Sequence, residues 1–180
     1  MKPTVIAVVG TKKSGKTTTI EILIQELSRR GYRVAAIKHI PESDHTIDTS
    51  GKDTWRYAQA GAKTVVSAAA NEIATIEKIS LETVTIDDLV RRCKGNDVVF
   101  TEGLKKQVAK RKNIPKIVVA KNADEVNSAL AVYKPILAFS GSFSTKKLNK
   151  EIPYANALEK PRELADIVET TLLKRINRVD

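Results

Sequence analysis

Apolar positions in this chain follow two rhythms that alternate from one end to the other. Residues 5–9, Val-Ile-Ala-Val-Val, form an unbroken apolar run, the pattern of a strand buried on both faces of a parallel sheet. The next segment places Ile20, Leu23, Ile24 and Leu27 at the i, i+3, i+4, i+7 spacing of one helix face. Arg29 and Arg30 suit its C-terminal dipole, and Gly31 supplies a residue that ends it. Residues 33–38 predict a second strand. Residues 39–50 are polar and hold Pro41, so they predict a loop.

Beyond that loop, Ser50-Gly51-Lys52-Asp53 has the form of a capping box opening a short helix that ends at Gly61. Residues 64–67 and 73–79 predict two strands, the second expected to break the parallel order. Thr85 is placed to cap a helix running through Cys93, with Asp88 at its third position. Residues 97–101, 116–120 and 135–139 predict three more strands. Pro161 opens a last helix with Leu164, Ile167, Val168 and Leu172 on one face. Strand–helix alternation of this kind predicts an α/β three-layer sandwich around a mostly parallel sheet. The 180 residues suit a single domain, 1–180, and no linker or repeat divides them.

One motif sits at the joint between the first strand and the first helix. Gly10-Thr11-Lys12-Lys13-Ser14-Gly15-Lys16-Thr17 fits G-x-x-x-x-G-K-[ST] at every specified position. Its glycines let the backbone curl until several N–H groups point inward, and the helix N-terminus adds its dipole. Such a P-loop cradles a nucleoside triphosphate, with Thr18 closing the turn. Lys16 is expected to reach the β- and γ-phosphates and the Thr17 hydroxyl to meet Mg²⁺. A carboxylate at the end of a neighbouring buried strand is needed as well, and Glu102, after Val98-Val99-Phe100-Thr101, is the candidate. Asp97 begins that strand and belongs at the opposite edge. Gly103 is placed to offer its N–H to the γ-phosphate. Asp48, in the loop after the second strand, is the third candidate metal ligand, with Asp44 and Asp53 competing. Any catalysis is expected from Lys16 and Glu102.

Charge and composition narrow the partners. The net charge is +10, which favours anionic partners without choosing among them. With one cysteine, Cys93, the chain holds neither an internal disulfide nor a cysteine metal cluster. The two histidines, His39 and His45, make no metal site alone. No stretch is apolar and long enough to span a bilayer, so a cytoplasmic protein is the expectation.

With these residues in hand, the chain resembles the molybdopterin-guanine dinucleotide biosynthesis protein B (MobB) family. The resemblance rests on Gly10 to Thr18, on Ile37-Lys38-His39, on Ile47-Asp48 followed by Gly51-Lys52-Asp53-Thr54-Trp55-Arg56, and on Asp97 to Lys105. It implies a P-loop NTPase fold and a GTP- and Mg²⁺-binding accessory protein of molybdenum cofactor synthesis. Such a protein assists attachment of a GMP moiety to molybdopterin by a separate, MobA-like nucleotidyltransferase. The resemblance also implies a homodimer with weak GTPase activity, and Thr17, Asp48 and Glu102 around Mg²⁺. The chain departs from the family after Lys38, where His39 is followed by Ile40 rather than a second histidine, and in a longer basic run, 105–112.

The residues themselves argue for slow hydrolysis. No glutamine stands clearly in a switch position, and no arginine is clearly a finger; Arg56 is the nearest candidate. The guanine-reading pattern [N/T]-K-x-D is absent. Lys121-Asn122-Ala123-Asp124 has the wrong spacing and reads as a capped helix start, leaving Ser140-Gly141-Ser142 as the other place for a base. The run 105–112 predicts a solvated surface loop first and an anion-binding lip second. It has no aromatic for stacking, so nucleic acid is not an expected partner. A small-molecule P-loop kinase and a GTP-dependent switch or metallochaperone are the alternative functions.

Overall fold

The computed structural model describes residues 2–42, 44–143 and 151–176. They gather into two compact units, one made of 1–39 with 86–180 and the other of Ile40–Thr85. In the first unit, five strands form one sheet: β1 (Thr4–Val9), β2 (Val34–Lys38), β5 (Val98–Glu102), β6 (Lys116–Val119) and β7 (Ile136–Ser140). Their order is β2-β5-β1-β6-β7, and every neighbouring pair is parallel. β1 is central and buried at all six positions, as its unbroken apolar run requires.

Alternation along these strands sends successive side chains to two separate cores. Ile6, Val8, Phe100, Ile117 and Val119 face one side. There they meet Ile20, Leu23 and Leu27 of α1 (Lys16–Arg29) and Leu164, Val168 and Leu172 of α6 (Pro161–Ile176). Val5, Ala7, Val9, Val99 and Val118 face the other. There they meet Ile86 and Val90 of α3 (Ile86–Arg92), Val108 of α4 (Lys105–Val108), and Val126 and Ala129 of α5 (Ala123–Val132). The helix faces expected from the 3.6-residue spacing are therefore the buried ones. On the first face Arg30 ties the end of α1 to α6, reaching Glu26 at 3.0 Å and both Asp166 and Glu169 at 2.7 Å.

The second unit holds α2 (Asp53–Gln59) and a two-stranded sheet of β3 (Thr64–Ala68) and β4 (Ile73–Glu77). The break in parallel order expected for 73–79 is present: β4 runs antiparallel to β3. The two strands pair only with each other, however, and do not enter the main sheet. Their short connection permits a hairpin but not the crossover that a parallel pair needs. The expected capping box also fails. Lys52 is the N-cap of α2 and its side chain makes no cap bond. Asp48 is bonded instead to the Thr54 hydroxyl and the Thr49 amide, at 2.8 and 2.9 Å. Ser43, in the 39–50 loop, lies outside the described residues.

One further reading changes. The basic run 105–112 is not a solvated loop throughout. Its first turn is α4, Val108 is fully buried, and Arg111 is ion-paired with Asp87 of α3. Lys116, at the start of β6, has no solvent exposure. Its ammonium donates to the Arg111 and Lys134 carbonyl oxygens at 2.8 and 2.6 Å. Among the described residues no helix is long and apolar enough to cross a membrane.

Burial pushes the Lys116 ammonium down to about 8. Between that value and the ordinary lysine range the unfolded chain holds a proton that the folded chain has lost. Stability therefore rises with pH across this window, because the unfolded state binds more protons there. Urea denaturation of the native protein across the span of the two pKa values, from about pH 7.5 to 10, should show this rise, and a Lys116→Met variant should show less of it. Equal slopes in the two proteins would refute the assignment.

Candidate functional site

The P-loop motif occupies the turn from β1 into α1, at the edge where all five parallel strands end. Its shape is enforced by close approach. A Cβ on Gly10 would lie 2.2 Å from the Val119 carbonyl oxygen and 2.7 Å from Ser14 Oγ, so only glycine passes there. Lys13 and Gly15 take left-handed φ values of 58° and 94°, and Gly15 is the N-cap of α1. Left-handed residues of this kind curl successive N–H groups into an anion-binding nest. Ser14 Oγ is buried inside the loop with no hydrogen-bond partner. An orphan hydroxyl of this sort is costly, and a phosphate oxygen is a group that satisfies it.

Lys16 donates from Nζ to the Thr11 carbonyl at 2.6 Å, folded back over the loop. Burial lowers its pKa, with Glu102 opposing and the nearby Lys105 and Lys38 ammonium groups lowering it further. Lys16, Lys38, Lys105 and Glu102 thus act on one another at the loop's mouth. Glu102 meets the motif directly: Thr17 Oγ1 donates to Glu102 Oε2 at 2.9 Å. The same carboxylate oxygen is 3.5 Å from Lys38 Nζ. The contact with Lys38 follows from register, because Lys38 and Glu102 are paired across β2 and β5. Thr18 and Lys13 line the other side of the loop, and Lys12 is exposed at its tip.

Gly103 follows with φ 90°, and a Cβ there would lie 2.7 Å from the His39 Cβ. His39 N–H donates to the Glu102 carbonyl at 2.9 Å. His39 therefore packs against the turn that carries the acid. Asp97 stands where the strand begins, as expected, and accepts from the Arg33 amide and guanidinium at 2.8 Å. Asp48 belongs to the second unit, bonded to Thr54 and Thr49 as described above. Among the described residues, no group of three or more His, Cys, Asp or Glu converges on a metal position.

The family model described as MobB, molybdopterin guanine dinucleotide synthesis protein B, matches residues 5–141. The chain belongs to the MobB family. It is 39% identical over 123 residues to a relative from Methanocaldococcus jannaschii, a match covering 67% of this chain and 48% of the relative. It is 36% identical over 118 residues to the molybdopterin-guanine dinucleotide biosynthesis adapter protein of Haemophilus influenzae, covering 63% of this chain and 61% of that one. The chain thus spans about half to three-fifths of the length of these curated relatives. A crystal structure of a molybdopterin-guanine biosynthesis protein B superposes with a TM-score of 0.71 at 28% identity, over 93% of this chain and 98% of that one. The Bacillus subtilis MobB structure gives 0.71 at 23% identity, over 92% and 96%, a likeness of fold.

This MobB-family chain has the expected P-loop NTPase fold, and it adds contacts that its linear pattern did not announce. Thr11 Oγ1 donates to Glu125 Oε1 at 2.9 Å, while Glu125 Oε2 accepts from the Lys121 amide at 2.9 Å. Burial pushes the Glu125 carboxyl up, but these hydrogen bonds win and hold it below the usual range. The P-loop is thereby latched to the start of α5. Asn122 caps that helix, accepting from the Glu125 amide at 3.0 Å, so Lys121 to Asp124 is a capped helix start as its sequence predicted. Gln107 Oε1 accepts from the Ile86 amide at 2.6 Å, which engages this glutamine in the packing of α3.

The turn at Gly103 gives a direct test. Gly95 has nearly the same φ, 92°, but an added Cβ there meets nothing within 4 Å. Gly95→Ala should therefore cost only the left-handed backbone, about 1 kcal/mol by denaturant titration. Gly103→Ala should cost clearly more, since His39 must also move. Equal losses would show that the His39 contact is not tight.

Proposed function

We propose that this chain is a GTP-binding adapter of molybdenum cofactor biosynthesis, and that it assists a MobA-like nucleotidyltransferase in converting molybdopterin to its guanine dinucleotide. The observation that carries the nucleotide part is the 2.9 Å contact between Thr17 Oγ1 and Glu102 Oε2 where α1 leaves a P-loop with an orphan buried hydroxyl. A hydroxyl and a carboxylate are the hard oxygen donors that Mg²⁺ takes, with phosphate oxygens and water completing its shell. Thr17 and Glu102 would hold the ion. When bound, Mg²⁺ neutralises charge on the phosphate oxygens.

The chain's own groups supply the rest. The backbone from Gly10 to Thr18 cradles the phosphates. Lys16, which donates to the Thr11 carbonyl, would hold the phosphates, and Lys38 and Glu102 are paired at the same mouth. The Gly103 N–H would be offered to the terminal phosphate. A cavity of about 290 Å³, lined by Lys13, Gly15, Thr18, Ser140, Gly141 and Asn156, lies beside the loop and suits the nucleoside. Guanine as the base rests on the names of the relatives. Hydrolysis is slow in this reading, because no glutamine stands clearly in a switch position to orient an attacking water. The adapter names of the relatives support a partner enzyme. The exposed apolar side chains Val66 and Ile73 on an open two-stranded sheet support a homodimer. A cytoplasmic setting completes the proposal.

Thr17→Ala and Glu102→Ala should each weaken Mg²⁺-dependent GTP binding by about tenfold or more, measured by fluorescent-nucleotide titration with and without the ion. Binding of Mg·GTP at native affinity would remove the metal assignment. In pull-downs, the native chain should retain a MobA-type nucleotidyltransferase more strongly with GTP present. Retention indifferent to nucleotide would remove the adapter role.

A further inference from the structure

The P-loop motif accounts for Lys16 and Thr17, but not for the ammonium group that shares their carboxylate. Alternation along β2 sends Val34 to the α1 side of the sheet and Ala35 and Ile37 to the other. Lys38 has the parity of Val34, so its side chain leaves the sheet on the α1 side. Along β5 the same parity joins Glu102 to Val98 and Phe100, which pack on that side. The register pairs Lys38 with Glu102, and the two side chains meet beside the start of α1.

Lys38 Nζ lies 3.5 Å from Glu102 Oε2, the same oxygen that accepts from Thr17 Oγ1. The backbone beneath the pair is fixed. His39 N–H donates to the Glu102 carbonyl at 2.9 Å, so the β2–β5 ladder runs past both residues. The ammonium above it is held less firmly. The Lys38 side chain is 55% exposed, against 15% for Glu102. An ion pair this open is worth little, and lysine carries a compact charge on a flexible stem. A lysine held in this way exchanges one anion for a stronger one with little loss.

The charge at the loop's mouth favours such an exchange. The Lys38 and Lys105 charges both bear on Lys16, opposed by Glu102 and Glu125. Of these two carboxylates, Glu125 is already held by the Lys121 ammonium at 3.3 Å, the Lys121 amide and the Thr11 hydroxyl. Glu102 is left to face three ammonium groups. The mouth therefore has a surplus of positive charge, which an added anion relieves. With no arginine clearly placed as a finger, the lysines at the mouth are the cations at hand.

We propose that Lys38 distinguishes a nucleoside triphosphate from a diphosphate: its ammonium pairs with Glu102 when no γ-phosphate is present and with the γ-phosphate when one is. The backbone nest holds the phosphates common to both nucleotides, and Lys38 reads the one that differs. This role rests on the proposed nucleotide site; the pairing with Glu102 does not.

The full chain is titrated with fluorescent GDP and with fluorescent GppNHp, a triphosphate that is not hydrolysed, in Mg²⁺ and in EDTA. Lys38→Met should weaken GppNHp binding by about tenfold or more and leave GDP binding within about twofold of native. The retained GDP binding reports an intact fold and P-loop. Lys38→Arg keeps the charge and should keep most of the preference for triphosphate. Lys94→Met removes the same charge ahead of β5, at the opposite edge of the sheet, and should leave the preference unchanged. In EDTA, Glu102→Gln frees Lys38 and should strengthen GppNHp binding more than GDP binding, but not in the Lys38→Met background. Equal losses for both nucleotides in Lys38→Met, the same loss of preference in Lys94→Met, or additive effects of Lys38→Met and Glu102→Gln would each overturn the proposal. A native chain that binds neither nucleotide would overturn the nucleotide reading, and this role with it.

Discussion

The site depends on one backbone contact. Gly10 passes so close to the Val119 carbonyl that no side chain fits between them. This contact seats the P-loop on the end of β6 and divides the space around it into two hollows. The register of β1 with its neighbours does the rest. Val8 pairs with Glu102 on one side and with Ile117 on the other, so the acid and the loop reach the same level of the sheet. Thr17 then meets Glu102 without any adjustment of the helix. Backbone packing of this kind is stiff, because close-packed interiors transmit displacement rather than absorb it.

The main sheet was largely legible in the sequence because its signal is local. An unbroken apolar run such as 5–9 has few other solutions, and the spacing of Leu23 and Leu27 fixes which face of α1 is buried. The P-loop was legible because its glycines answer a steric demand at fixed separation. Glu102 was legible as a carboxylate just past a buried strand, and the 2.9 Å contact with Thr17 follows from that place.

The contacts that escaped the linear reading depend on long-range register. Lys38 reaches Glu102 because β2 lies next to β5, and the order of strands is not written in either segment. Glu125 appeared only as part of a helix start, yet it also holds Thr11, far away in the chain. The basic run 105–112 misled because charge density hides a single apolar anchor: Val108 alone draws the segment onto the core. Within Ile40–Thr85 the two strands were legible, but their pairing with each other alone, which leaves Val66 and Ile73 largely exposed, was not. Ser50 to Asp53 matched a capping pattern, but matching residue types do not ensure a cap bond.

An all-parallel sheet has a direction, and the direction sorts the surface by what it can tolerate. Every strand ends at the edge that carries the P-loop, Glu102, Lys121 and Ser140. Every strand begins at the other edge, where Arg33 grips Asp97. Variation in loops at the first edge changes which molecules are held, while the ion pair at the second secures only the fold. The two edges are therefore free to diversify on separate terms. A fluorophore or surface tether placed near Arg33 would report on the molecule without entering its chemistry.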